Sequence, residues 1–155
     1  MVLDIDEDGI TPLYMAISEN APLAKIRAIL KTPENEVYTH TLDRNGASPL
    51  LLALIKKREF ALIHLLLKKG AWITLNHAER GGLTSGHVAV FNTINNFKDN
   101  NEAAYKNDIE ILQKLDAYKI NWNIPDSYHK TAAKMLGYHP DILNDVFPTQ
   151  LVTLR

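Results

Sequence analysis

The 155-residue chain has no cysteine, so disulfide staples, thiolate zinc ligands and a cysteine nucleophile are all excluded. It also lacks an excess of either charge. Seventeen Lys and Arg stand against 18 Asp and Glu, leaving no global field to draw in nucleic acid or an anionic membrane, although a local basic patch can survive such a balance. No stretch approaches the roughly 20 apolar residues needed to cross a bilayer. The start of the chain, Met1 to Asp8, is acidic where a secretory leader would be basic and then apolar. A soluble, cytoplasmic protein is the default expectation, and delivery into a host cell is not readable from the residues. What is present suits one ordinary globular domain over residues 1–155: 46% hydrophobic and 23% charged residues.

The chain repeats itself. Asp8-Gly9-Ile10-Thr11-Pro12-Leu13-Tyr14-Met15-Ala16-Ile17 matches Asn45-Gly46-Ala47-Ser48-Pro49-Leu50-Leu51-Leu52-Ala53-Leu54. Gly81 to Val90 keeps the Gly, Thr and Ala positions, and Tyr128 to Leu136 is a weaker fourth copy. The Thr/Ser positions, 11, 48, 84 and 131, are separated by 37, 36 and 47 residues, as one period lengthened by unequal insertions would be.

Each copy has a local physical logic. Gly9 and Gly46 suit turns that need positive φ. Thr11, Ser48, Thr84 and Thr131 can each cap a helix by accepting a backbone N–H, and Pro12 and Pro49 stand at the first helical position, where a missing donor costs nothing. Second apolar-periodic stretches follow at Leu23–Leu30, Phe60–Leu67 and Ile109–Leu115, the second of them running into Lys68-Lys69-Gly70, a suitable helix C-terminus. The unit is turn, short helix, longer helix, loop, and the expected fold is all-α.

Thr-Pro-Leu-x-x-Ala after a turn glycine, with Leu65-Leu66-Leu67-Lys68-Lys69-Gly70-Ala71 some twenty residues after the second copy, resembles the ankyrin repeat, whose period is about 33 residues. The resemblance spans Asp4 to Phe147 and implies a solenoid of about four helix-turn-helix repeats with short hairpin fingers. The repeats fall near 6–42, 43–80, 81–125 and 126–147. Repeat three departs from the family pattern, with Ser85-Gly86 in place of Pro-Leu and an insertion near 92–107. That stretch reads as a polar loop, because Asn95-Asn96 and Asn100-Asn101 disfavour regular structure, followed by a helical start from Asn101, better taken as a tolerated surface insertion than as a dedicated contact loop. Repeat four has a shortened first helix ending at Gly137 and a last helix near Ile142–Val146, as a capping repeat would.

The resemblance implies a protein–protein interaction module without catalysis, in which finger tips and the concave face of the inner helices meet the partner. On the fingers this selects Glu7 and Asp8, Arg44 and Asn45, Glu79 and Arg80, and Ser127 and Tyr128. At the ends of inner helices it selects Ser18 and Glu19, Ile55 and Lys56, and Phe91 and Asn92. The residues expected to carry partner binding are Arg44, Asn45, Ile55, Lys56, Glu79, Arg80, Phe91, Asn92 and Tyr128. Ile55 and Phe91 are apolar where a solvated groove is usually polar. They either form a binding patch or tuck against each other or the inserted segment. Trp72 is expected to be covered by the loop Ile73–Arg80, and Trp122 to join the core.

Chemistry finds little support. Gly82-Leu83-Thr84-Ser85-Gly86 superficially looks like a nucleophile elbow, but its spacing is wrong and no buried strand precedes it. Phosphate-cradling glycine motifs are absent. His77, Glu79 and His87 match no metal-ligand spacing, so no metal, cofactor or small-molecule substrate is expected. By the resemblance, His87 takes the histidine position of the T-P-L-H motif and bonds turn backbone, whereas Tyr14 and Leu51 replace it in the first two repeats and leave that support incomplete. His64 is expected at, or partly packed against, the surface of its helix. The alternatives to a plain interaction module are a bacterial effector that binds a host protein, and a ligand-binding or enzymatic protein that uses the repeat-three insertion.

Overall fold

A computed structural model of the chain describes residues 5–148, all of whose regular elements are helical. Residues 1–4 and 149–155, the two ends of the expected single domain, lie outside the described residues. Eight α-helices follow in order: α1 Pro12–Ser18, α2 Leu23–Leu30, α3 Pro49–Ile55, α4 Phe60–Lys69, α5 Ser85–Lys98, α6 Glu102–Ala117, α7 Ala132–Gly137 and α8 Pro140–Val146. Two 3-10 segments, Pro33–His40 and Ala71–Thr74, follow α2 and α4 and pack on each other.

The first helix of each unit begins where the hydroxyl residues place it. Thr11, Ser48, Thr84 and Thr131 accept from the amides of Tyr14, Leu51, His87 and Lys134, three residues on in each case. Such a cap satisfies one of the donors that a helix start leaves orphaned and is worth about 1 kcal/mol. At the other end of α4, Gly70 takes φ 134° and its amide closes onto the last carbonyls.

Neighbouring helices form two rows. Odd-numbered helices touch in sequence, α1 on α3, α3 on α5 and α5 on α7, and even-numbered helices do the same from α2 to α8. Each odd helix also packs on the even helix that follows it. One apolar core runs between the rows, from Leu13, Ile17 and Ile26 through Leu50, Leu62 and Leu66 to Leu112, Leu136 and Ile142. No single pair could cover its own apolar face, so each unit depends on its neighbour.

Four turns line one edge, and they share one construction. The amides of Asp6, Asp43, Glu79 and Asp126 donate to the carbonyls of Ile10, Ala47, Leu83 and Lys130, and each first residue also turns its carboxylate onto amides of its own turn. The first three turns are joined in sequence, since Arg44 N–H donates to Asp8 O at 2.9 Å and Arg80 N–H to Asn45 O at 2.8 Å. The fingers are therefore tight turns; among the described residues none extends into a strand. Gly82 shows why glycine is needed here. Its φ is +88°, and a Cβ would lie 2.8 Å from the amide nitrogen of Ser127 in the next turn. The corresponding residue of the fourth turn is His129, at φ 63°, which faces no further turn among the described residues.

The segment 92–107 differs from the sequence expectation. It is helical rather than a polar loop: α5 continues to Lys98, α6 begins at Glu102, and only Asp99–Asn101 connect them. The asparagines expected to break structure are used instead as caps and buried bonds. Asn101 caps α6 through Ala104 N–H, and Asn96 Nδ2 donates to Asp108 Oδ2 at 2.6 Å inside the hairpin. Asn107 Oδ1 accepts from Phe60 N–H at 2.8 Å, supplying the cap that Glu59 does not give α4. At the far side Tyr105 donates to Asp145 at 2.6 Å. The added residues thus brace the units before and after them.

Candidate functional site

Counting seven residues from each cap reaches the same outward position in every unit: Ser18, Ile55, Phe91 and Tyr138. The last three are exposed at 50%, 57% and 70%. Five residues from the caps stand Ala16, Ala53, Ala89 and Leu136, all buried beneath them. One side of the odd-numbered row therefore faces the core while the other presents apolar groups to solvent in three consecutive units.

Phe91 and Tyr128 come together at the third and fourth units. Leu83, Val88, Phe91, Tyr128 and Met135 line a depression of about 380 Å³, with His87, Asp126 and Lys130 at its edge. Tyr128, at 80% exposure, is held there by its turn, because Asp126 Oδ1 accepts from the amides of both Tyr128 and Lys130. The Lys130 amide foremost, and then that of Tyr128, hold the Asp126 carboxyl below the ordinary carboxylate range.

The other expected contact residues are distributed along the same side. Arg44 is exposed and pairs with Asp8 at 3.2 Å, a surface ion pair that positions the guanidinium without adding much stability. Asn45, Lys56 and Arg80 are exposed. Two residues require correction. Asn92 is only 8% exposed, because one step past Phe91 in a continuing helix points back to α3, where its Nδ2 donates to Leu54 O at 2.8 Å. Glu79 is not a finger tip: it is the first residue of its turn, and its Oε1 accepts from Leu83 N–H at 3.0 Å. The equivalents of Arg44 and Asn45 are Arg80 and Gly81.

Trp72 also departs from expectation. It is 56% exposed beside the equally open Ile73, since the 3-10 turn Ala71–Thr74 buries Ala71 and, just beyond, Leu75 while turning the two residues between outward. Trp122 is half-buried, packs edge-on against Phe147 and donates from Nε1 to Asp116 at 3.1 Å. Tyr138 is the exposed aromatic residue that the sequence reading missed, although the cap spacing from Thr131 identifies it. His64 stacks on Phe60 at 5.8 Å, and burial first, then Lys114 and Lys68, lower its pKa.

His87 is a structural element of this face. Its Nδ1 lies 3.1 Å from Thr84 N and accepts that N–H, which assigns the ring proton to Nε2, from where it donates to Lys130 O at 2.9 Å. Tyr14 does the same work in the first unit by another route, donating its hydroxyl to Asp43 at 2.7 Å. Burial, and then the Asp43 carboxylate, push the Tyr14 phenol up to about 12. No group of three or more His, Asp or Glu placed to hold a metal ion occurs among the described residues. No helix among them is long and apolar enough to cross a membrane. No family model and no curated protein matches the sequence.

Proposed function

We propose that the chain is an ankyrin-type repeat scaffold that binds a protein partner on the side formed by the turns and the odd-numbered helices, with no catalysis of its own. The motif register supports the first half of this reading, since the four Thr/Ser caps and four like-built turns recur in every unit. The observation that carries the second half is the column Ile55, Phe91 and Tyr138 with Tyr128 beside it. Adjacent exposed apolar groups on a rigid, water-soluble surface mark contact sites, and large aromatic residues supply most of the energy of such contacts.

The test is affinity capture with the wild-type protein beside Ile55→Asp/Phe91→Asp. Both positions point to solvent, so circular dichroism and the thermal midpoint of the variant should match the parent. Partners held by the wild type should be lost, with affinity falling about thirtyfold or more for a truncated anchor worth 2 kcal/mol. Equal retention by both proteins overturns the assignment of this face.

A further inference from the structure

A second depression, of about 290 Å³, adjoins the apolar one and shares Lys130 and Met135 with it. It is lined by Lys98 at the end of α5, Lys130 in the fourth turn, Lys134 on α7 and His139, with Ile94, Met135 and Tyr138 forming the rest of its surface. No acidic side chain lines it. Nor does any of the three lysines form an ion pair with another of the described residues. A chain of net charge −1 thus gathers three lysines beside an apolar surface hollow. The Asp126 carboxylate at that hollow attracts Lys130, whereas Lys98 and Lys134 have no acidic partner within ion-pair distance among the described residues. Like charges brought together without counter-charges repel one another, and a bound anion relieves that repulsion.

From these juxtaposed hollows we infer that the partner engages this face through a short acidic segment. An apolar side chain of that segment sits on Phe91, Tyr128 and Met135, and Asp or Glu carboxylates meet Lys98, Lys130 and Lys134. This inference rests on the partner-binding reading above and specifies its chemistry. The spacing follows from α5. Phe91 and Lys98 are seven residues apart on one helix, about 10.5 Å at 1.5 Å per residue. An extended peptide advances about 3.3 Å per residue, so the apolar anchor and the first carboxylate stand about three residues apart. Lysines bind as mobile point charges rather than rigid forks, so charge and spacing matter here more than the orientation of one carboxylate.

The test uses fluorescein-labelled nine-residue peptides and fluorescence anisotropy at low and at physiological salt. One set carries a central Leu, Phe or Trp with two glutamates beginning three residues away on either side. Control sets replace the glutamates by lysine or glutamine, or the anchor by alanine. The glutamate peptides should bind best and weaken as salt rises. Lys98→Glu/Lys134→Glu should cost tenfold or more while leaving circular dichroism unchanged, and replacing the anchor by alanine should cost a similar factor. Glutamine or lysine peptides binding as well as glutamate peptides overturn the inference. Tighter binding of a single-stranded oligonucleotide, lost in the same lysine variant, overturns it as well. If no peptide binds, this inference fails, and the partner-binding reading still stands or falls separately by whether Ile55→Asp/Phe91→Asp loses captured partners.

Discussion

The seam between the first and second units and the seam between the third and fourth meet the same need with different side chains. In the first, Tyr14 donates to the Asp43 carboxylate; in the last, His87 bridges Thr84 and Lys130 through opposite ring nitrogens. The middle seam has Leu51 at that position, a buried side chain with nothing to donate. It is joined elsewhere, by Asn92 to Leu54 O and by Asn107 to the amide of Phe60. The comparison teaches that a repeat motif fixes which seam needs a polar link but not which residue provides it. The middle link comes from the lengthened helices of the third unit, so an insertion that reads as tolerated surface is part of the stack.

The largest expected effect separates the two outer links. His87→Ala should destabilise by about 3 kcal/mol, because it leaves the buried Thr84 N–H without a partner, removes the bond to Lys130 O, which keeps only the Asp126 amide, and opens a cavity. Tyr14→Phe should cost only about 1 kcal/mol, since it removes one bond from a half-exposed phenol whose acceptor can turn to water. Urea unfolding of the two variants measures this difference, and equal losses would break the distinction between a buried bridge and an edge contact.

A middle-sized effect tests the third unit as the brace. Asn92→Ala should cost about 1–2 kcal/mol and Asn107→Ala about 1 kcal/mol, the latter in the range of a lost helix cap. Hydrogen exchange should localise the Asn107→Ala change to the start of α4 rather than to α5 and α6. Protection confined to the hairpin itself would show that the insertion supports nothing beyond its own length.

The smallest effect concerns the charge inside that brace. Burial raises the pKa of Asp108, against the hydrogen bond from Asn96 and the attraction of Lys57. The folded state therefore holds the proton more tightly than the unfolded chain. Asp108 contributes stability below its ordinary value of 3.8 and loses it as pH rises from there through the raised folded value. Asp108→Asn keeps an oxygen that can accept from Asn96 and removes the buried charge. Its thermal midpoint should exceed the parent's by about 2–4 °C near pH 7, with the advantage shrinking towards about pH 4. A constant difference across that range would show that the carboxylate is not the cause.

The helix starts were legible because a cap is local chemistry: a hydroxyl residue, often a proline after it, and an apolar period are all that Thr11–Ile17 and Ser48–Leu54 require. Ile55, Phe91 and Tyr128 were legible as contact candidates for a related reason, since register alone places them on the turn side. Asn92 is buried because α5 does not end near Phe91 but runs on to Lys98, and one further residue on a helix swings a side chain by about 100°. Glu79 misses the finger tip because its turn starts one residue later than that placement assumed. The asparagines of 95–101 misled for a different reason. Their low helix propensity is a weak preference, overruled when the side chains find buried partners and caps.

The sequence by itself determined the order of turns and helices, the repeated register and which faces are apolar, because these depend on residues within a few positions of one another. Only the tertiary structure decided that Tyr14 could replace a histidine, that Trp72 stays open, and that Lys98, Lys130 and Lys134 converge beside Phe91. The first and last of those facts depend on chain segments tens of residues apart, up to the 43 that also separate His87 from Lys130. Such distances are set by how neighbouring helices pack, and no local pattern carries them.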